Sequence, residues 1–152
     1  MKEKMASLLF TILLGAILSL LIITNIFVYI SGPARKAEAD DEALFRRVVN
    51  AYQLVDATFL NRHVHQQITY VAHIGADKEK LIFYDEEGLV FLLIDTPQRP
   101  QVINDLMTSG QIMENDISYG YFKTPVFVIE HPTRLQYIDF SGETVFFLKK
   151  GD

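Results

Sequence analysis

The sequence predicts an α+β protein: an N-terminal transmembrane helix followed by two small units, each a helix packed on an antiparallel sheet. Three observations point there. Ala6–Ile30 is a run of 25 uncharged, mostly apolar residues behind Lys2 and Lys4. Two later stretches carry apolar residues at helical spacing. Each is followed by short β-rich runs separated by turn residues.

The N-terminal run comes first. As a helix it reaches ~37 Å at ~1.5 Å per residue, enough to cross a hydrocarbon core of ~30 Å. It is too long for the apolar region of a cleaved signal peptide, which spans about 7–15 residues. The expectation is a cytoplasmic tail over 1–5, a retained single-pass anchor over 6–30, and the rest of the chain extracellular at the cell membrane. Lys2 and Lys4 favour that orientation, while Arg35, Lys36, Arg46 and Arg47 count against it.

Ser31-Gly32-Pro33 breaks the run, and Pro33 suits the first turn of a new helix. Ala34–Asp56 is rich in helix formers, and Leu44, Val48, Ala51, Val55 and Phe59 recur at the spacing of one helical face. Ala34–Asp41 has no large apolar residue and reads as a solvated stalk. Asn61–Gln67 reads as a polar connection, and its histidines as solvated. Three strands follow: Ile68–Ile74, Lys80–Tyr84 and Leu89–Asp95. The first unit, with its stalk, is placed at 34–96.

The second unit is placed at 97–152. Gln101–Met107 puts Val102, Ile103, Leu106 and Met107 on one helical face, closed by Ser109-Gly110. Four strands follow over Asp116–Lys123, Val126–Glu130, Leu135–Phe140 and Thr144–Lys149. One local echo links the units: Asp85-x-x-Gly88 precedes Val90-Phe91, and Asp139-x-x-Gly142 precedes Val145-Phe146. Asp85, Gly88, Asp139 and Gly142 are therefore the turn-defining candidates, Asp capping each turn and Gly supplying a positive φ.

Composition limits the chemistry. Lys and Arg number 14 against 19 Asp and Glu, a net charge of −5. An acidic chain is a poor match for nucleic acid, which needs cations to displace counterions. There is no cysteine, which excludes disulfides, thiol catalysis and Cys-ligated zinc. His63, His65 and His73 could in principle converge on a metal, but loop histidines are more often solvated, so no metal site is assigned. No cofactor motif, activated serine or phosphate-binding glycine loop is present. The expectation is a protein without catalytic residues. Aromatic residues crowd the C-terminal half, and Tyr119, Tyr121, Phe146 and Phe147 are the candidate partner-binding residues. Phe146 and Phe147 must point to opposite faces of their strand.

The hairpin Leu135-Gln136-Tyr137-Ile138-Asp139-Phe140-Ser141-Gly142-Glu143-Thr144-Val145 resembles the closing Y-x-D-F-x-T-G-x-I/V strand pair of the TseB-like cell wall elongation regulator family. Here there is one residue fewer before the glycine. Tyr70–Asp95 is similar to that family's first unit in strand order and hydrophobic pattern. Val126-Phe127-Val128 stands where relatives often carry Trp. The resemblance implies two PepSY/cystatin-like units on the anchor. It also implies a non-catalytic extracytoplasmic protein that binds and regulates the peptidoglycan elongation machinery through a class B penicillin-binding transpeptidase. The alternative is a PepSY-like module that inhibits or chaperones a secreted protease.

Overall fold

The computed structural model describes residues 2–26, 28 and 32–151. The chain divides into two compact units, Met1–Asp41 and Glu42–Asp152.

Helix α1 spans Lys2–Ile26. Among the described residues no helix is long and apolar enough to cross a membrane. A span needs about 20 consecutive apolar residues. Residues 27 and 29–31, at the expected outer end of the anchor, lie outside the described residues. The membrane anchor over 6–30 is corrected on this ground. The single-pass topology, the cytoplasmic N-terminus and the extracellular placement are corrected with it.

Helix α2 spans Gly32–Tyr52, four residues short of the expected end. Gln53 takes φ 51°, and the Leu54 N–H reaches back to the Val49 carbonyl at 3.0 Å. That left-handed residue and six-to-one bond form a Schellman C-cap. Val55 consequently leaves the helical face and is exposed.

Eight strands form two sheets. The first holds β1 (Thr58–Val64), β2 (Ile68–Ile74), β3 (Lys80–Tyr84) and β4 (Val90–Asp95). Helix α3 (Gln101–Thr108) precedes the second, which holds β5 (Ile117–Phe122), β6 (Thr124–His131), β7 (Arg134–Asp139) and β8 (Thr144–Lys149). Both sheets are antiparallel meanders, in the orders β1-β2-β3-β4 and β5-β6-β7-β8. The fold is therefore α+β, with three helices and two four-stranded sheets among the described residues.

The first sheet has four strands where the sequence predicts three, and β1 is the addition. It pairs along β2, His63 opposite Thr69 and Phe59 opposite Ala72, so the expected solvated connection is largely a strand.

Apolar alternation fixes the layers. Leu44 and Val48 of α2 pack on Tyr70, Ala72, Ile82 and Tyr84, one face of the first sheet. The opposite face presents Val71, Leu81 and Phe83 to Tyr119, Tyr121 and Phe140. Ile103 of α3 packs on Phe127, Ile129 and Ile138, one face of the second sheet. Its other face carries Val126, Val128 and Tyr137, with Phe122, Leu135, Val145 and Phe146 around them. Fully burying a side chain of this size contributes about 1.5–3 kcal/mol. Helix α3 ends where Ser109-Gly110 predicts. Gly110 takes φ 70°, its N–H bonds the Met107 carbonyl, and the Gln111 N–H bonds Leu106, each at 3.0 Å.

Candidate functional site

The second sheet has two edges, and they differ. Strand β5 is sealed by side chains of β1. Asn61 Nδ2 donates to the Tyr119 carbonyl at 2.7 Å, and the Tyr119 N–H donates to Asn61 Oδ1 at 3.4 Å. Two residues along, the Tyr121 N–H donates to His63 Nδ1 at 3.4 Å. The polar residues of β1 thus take the place of a fifth strand. Gly120 makes this approach possible: a Cβ there would lie 2.8 Å from His63 Cγ and 2.6 Å from Val128 Cγ2.

The imidazoles sit among aromatic rings. His63 and His65 stack at 6.4 Å. Tyr137 meets His63 edge-on at 5.2 Å, and Phe122 meets His65 at 4.8 Å. The Tyr137 hydroxyl lies 3.4 Å from His65 Nδ1. Burial holds the His63 imidazole below its usual range; His65 pushes the same way and Glu130 opposes. Since Nδ1 accepts from Tyr121, the neutral ring carries its proton on Nε2. Nε2 is buried with no hydrogen-bond partner among the described residues. A cleft of about 290 Å³ opens beside the ring, lined by Arg62, Ser118, Glu130, Leu135 and Tyr137 among others. His73 is elsewhere, edge-on to Tyr119 at 6.0 Å with Thr96 Oγ1 3.5 Å from its Nδ1. The three histidines do not converge, and no group of three metal-ligating side chains occurs among the described residues.

The other edge is β8. Among the described residues it pairs only with β7. Phe147 is 55% and Leu148 50% exposed, on opposite faces of the strand. Its inward side is anchored: Phe146 lies 4.9 Å from Tyr137 and 5.9 Å from His65. The outer edge of the first sheet, β4, also exposes apolar side chains, Phe91 at 42% and Leu93 at 54%. The Val90 N–H is taken by the Tyr52 hydroxyl at 3.2 Å, and Phe91 packs edge-on to Tyr121 at 5.2 Å.

The residues singled out in the sequence fall in three places. Tyr119 and Tyr121 are half-buried between the sheets, Tyr119 within 5.3 Å of Phe127. Phe146 belongs to the imidazole–aromatic cluster. Phe147 stands in the open on β8. The sequence pattern marks neither Asn61 nor Leu148, and it marks His63 only as one of three possible metal ligands. The available signal was the alternation of Leu60, Arg62 and Val64 with Asn61 and His63, which is strand-like despite its polarity.

Asp85, Gly88, Asp139 and Gly142 build two matching turns. Asp85 Oδ1 accepts from the N–H groups of Glu87 and Leu89, both at 2.9 Å. Asp139 Oδ1 accepts from those of Ser141 at 3.0 Å and Glu143 at 2.9 Å. Gly88 and Gly142 take φ 86° and 96°, and each donates to its aspartate carbonyl at 3.0 Å. The Ser141 hydroxyl, with main-chain N–H groups, holds the Asp139 carboxyl below its ordinary range.

No protein-family model, no curated protein and no solved structure matches the chain. The resemblance to the TseB-like regulators and their PepSY/cystatin-like units is corrected accordingly. The hairpin that carried it is accounted for locally, because Asp85–Leu89 makes the same turn hydrogen bonds as Asp139–Glu143. The implied penicillin-binding partner, the role in cell wall elongation and the alternative protease partner fall with the family.

Proposed function

We propose that this protein is a non-catalytic binding domain that captures an extended segment of a protein partner along β8. The carrying observation is the outer edge of that strand, unpaired among the described residues, with Phe147 and Leu148 exposed on its two faces. An added strand gains main-chain hydrogen bonds from such an edge and side-chain selectivity from the residues flanking it. Natural sheets blunt their edges with charge, proline or cover. Within β8 only the terminal Lys149 is charged and there is no proline, whereas β5 is covered by Asn61 and His63 and, on the equally uncharged Val90–Ile94 of β4, the Val90 N–H is met by Tyr52. Packing of Phe146 on Tyr137 and Phe122 supports a preformed strand that needs no ordering on binding.

The test places a photo-crosslinking phenylalanine analogue at position 147 in the full-length chain and irradiates the producing cells. A protein adduct at 147, suppressed by Leu148→Lys and not formed from the analogue placed at exposed Val55, is expected. Equal yields from 147 and 55 would defeat the reading.

A further inference from the structure

We infer that the end of β1 over His63–His65 is a proton-released latch on the second sheet. Acid lifts it from β5 and uncovers Phe122, Tyr137 and Phe146, while Asn61 keeps the earlier part of the strand in place. This goes beyond the reading of β8, and its test does not involve capture along that strand.

Strand β1 is held on the second sheet in two ways. Its earlier part is fixed by groups that do not titrate. Asn61 bonds the Tyr119 main chain in both directions, and Leu60 joins the apolar cluster of Val71, Leu81 and Phe83. Its later part is held by imidazoles. His63 Nδ1 accepts from the Tyr121 N–H, and His65 lies edge-on to Phe122, Tyr137 and Phe146. Val64, between them, is exposed and adds little. A proton added to His63 goes to Nδ1, because Nε2 already carries one. The acceptor becomes a donor aimed at a donor, and the bond is lost.

The surroundings do not offset that charge. On β1, Arg62 is cationic and the parallel His65 ring repels an imidazolium. From β6, Glu130 favours the charged ring, but its carboxylate is exposed and shared with Lys150 at 3.1 Å. From β7, the Tyr137 hydroxyl is kept protonated by burial, and the residue opposite on β2 is the uncharged Thr69. Burial of the His63 ring outweighs Glu130, so the latch closes on the neutral form.

Tyr119 and Tyr121 supply a matched pair of reporters. Their N–H groups sit two residues apart on β5 and donate over the same 3.4 Å, one to an amide oxygen and one to an imidazole. Amide hydrogen exchange is followed residue by residue in the full-length chain, each rate taken relative to the unprotected rate at the same pH. Below ~6.5 the protection of Tyr121 is expected to fall relative to that of Tyr119, by up to about tenfold per pH unit, the limit for one linked proton. The His63 ring titration, read from its nitrogen shifts, should share that midpoint. Ring contacts of His65 with Phe122 and Phe146 should weaken over the same interval. His63→Asn keeps an acceptor of the kind Asn61 already supplies but does not titrate, so its ratio should stay flat. A constant wild-type ratio between about pH 7.5 and 5 would overturn the latch, as would an equal change in His63→Asn. Persistence of the His65 ring contacts in acid would overturn the lift. If His63→Asn does not fold, the wild type decides alone: separate midpoints for the ring and the Tyr121 amide refute the inference.

Discussion

Asn61 and Tyr119 are joined twice, by a 2.7 Å bond from the Asn61 amide to the Tyr119 carbonyl and a 3.4 Å bond from the Tyr119 N–H back to the Asn61 oxygen. The side-chain amide reproduces the donor and acceptor of a peptide group, so β5 is paired on both sides without a further strand. Asn61→Leu leaves both main-chain groups without their partner. Each such loss costs about 1–3 kcal/mol. The urea midpoint should fall by a corresponding amount with an unchanged slope. Asn61→Asp keeps the acceptor, loses the donor and should fall between the two.

Gly120→Ala tests the close approach of the same strands. Its methyl group would lie 2.6 Å from Val128 Cγ2 and 2.8 Å from His63 Cγ. Overpacking of this kind costs about 1–3 kcal/mol. Combining it with His63→Ala should relieve only the imidazole clash, so a thermal-melting double-mutant cycle should show partial coupling, with the Val128 clash remaining.

Acid should loosen the domain through His63. Its folded value lies below the unfolded one of ~6.5, so the folded state prefers the neutral ring. That contribution is complete above the unfolded value and is lost as pH falls from there through the folded value. Protonation would also turn Nδ1 from an acceptor into a donor facing the Tyr121 N–H. His73, lowered chiefly by burial, acts in the same direction. Denaturation midpoints should be flat above about pH 7 and decline below ~6.5. His63→Gln should reduce the decline, and an undiminished slope in that variant would remove His63 as its source.

Gly142→Ala and Gly110→Ala separate backbone strain from contact. Both glycines have positive φ, 96° and 70°. An added Cβ at 142 would lie 3.2 Å from Pro100 Cβ, whereas at 110 it meets nothing within 4 Å. Each should lose about 1–2 kcal/mol for the left-handed backbone. Gly142→Ala should lose more, and chemical denaturation of the two variants side by side measures the excess.

Thr69 offers a gain. It is fully buried, and its hydroxyl has no partner among the described residues. Thr69→Val replaces an unsatisfied oxygen by a methyl group of similar shape. Since a buried unpaired hydroxyl costs about 1–3 kcal/mol, stability should rise by up to that amount. A lower midpoint for the valine variant would show that the oxygen is satisfied.

Strands β2 to β8 are legible because they are short runs rich in β-branched, aromatic and other apolar residues, punctuated by Gly, Pro and Asp. The cap of α3 was legible in Ser109-Gly110 for the same local reason. Strand β1 was not. Its Asn61, Arg62 and His63 look like a solvated connection because two of them are satisfied by main-chain groups 58 residues away. The early stop of α2 was hidden because Gln53 adopts a conformation usually left to glycine. The candidate site was visible in part. Phe147 stood out as an aromatic on an outer strand, but whether that strand is sealed or open depends on neighbours distant in the sequence.

The hooks from β1 onto β5 also set an order of events during synthesis. Asn61 and His63 leave the ribosome well before the main-chain groups of Tyr119 and Tyr121 that they will bond. Until the second meander arrives, the first has a polar strand with no one to answer it. A chain that stops between the two sheets lacks the main-chain partners of Asn61 and His63, so β1 completes these bonds only once β5 is in place.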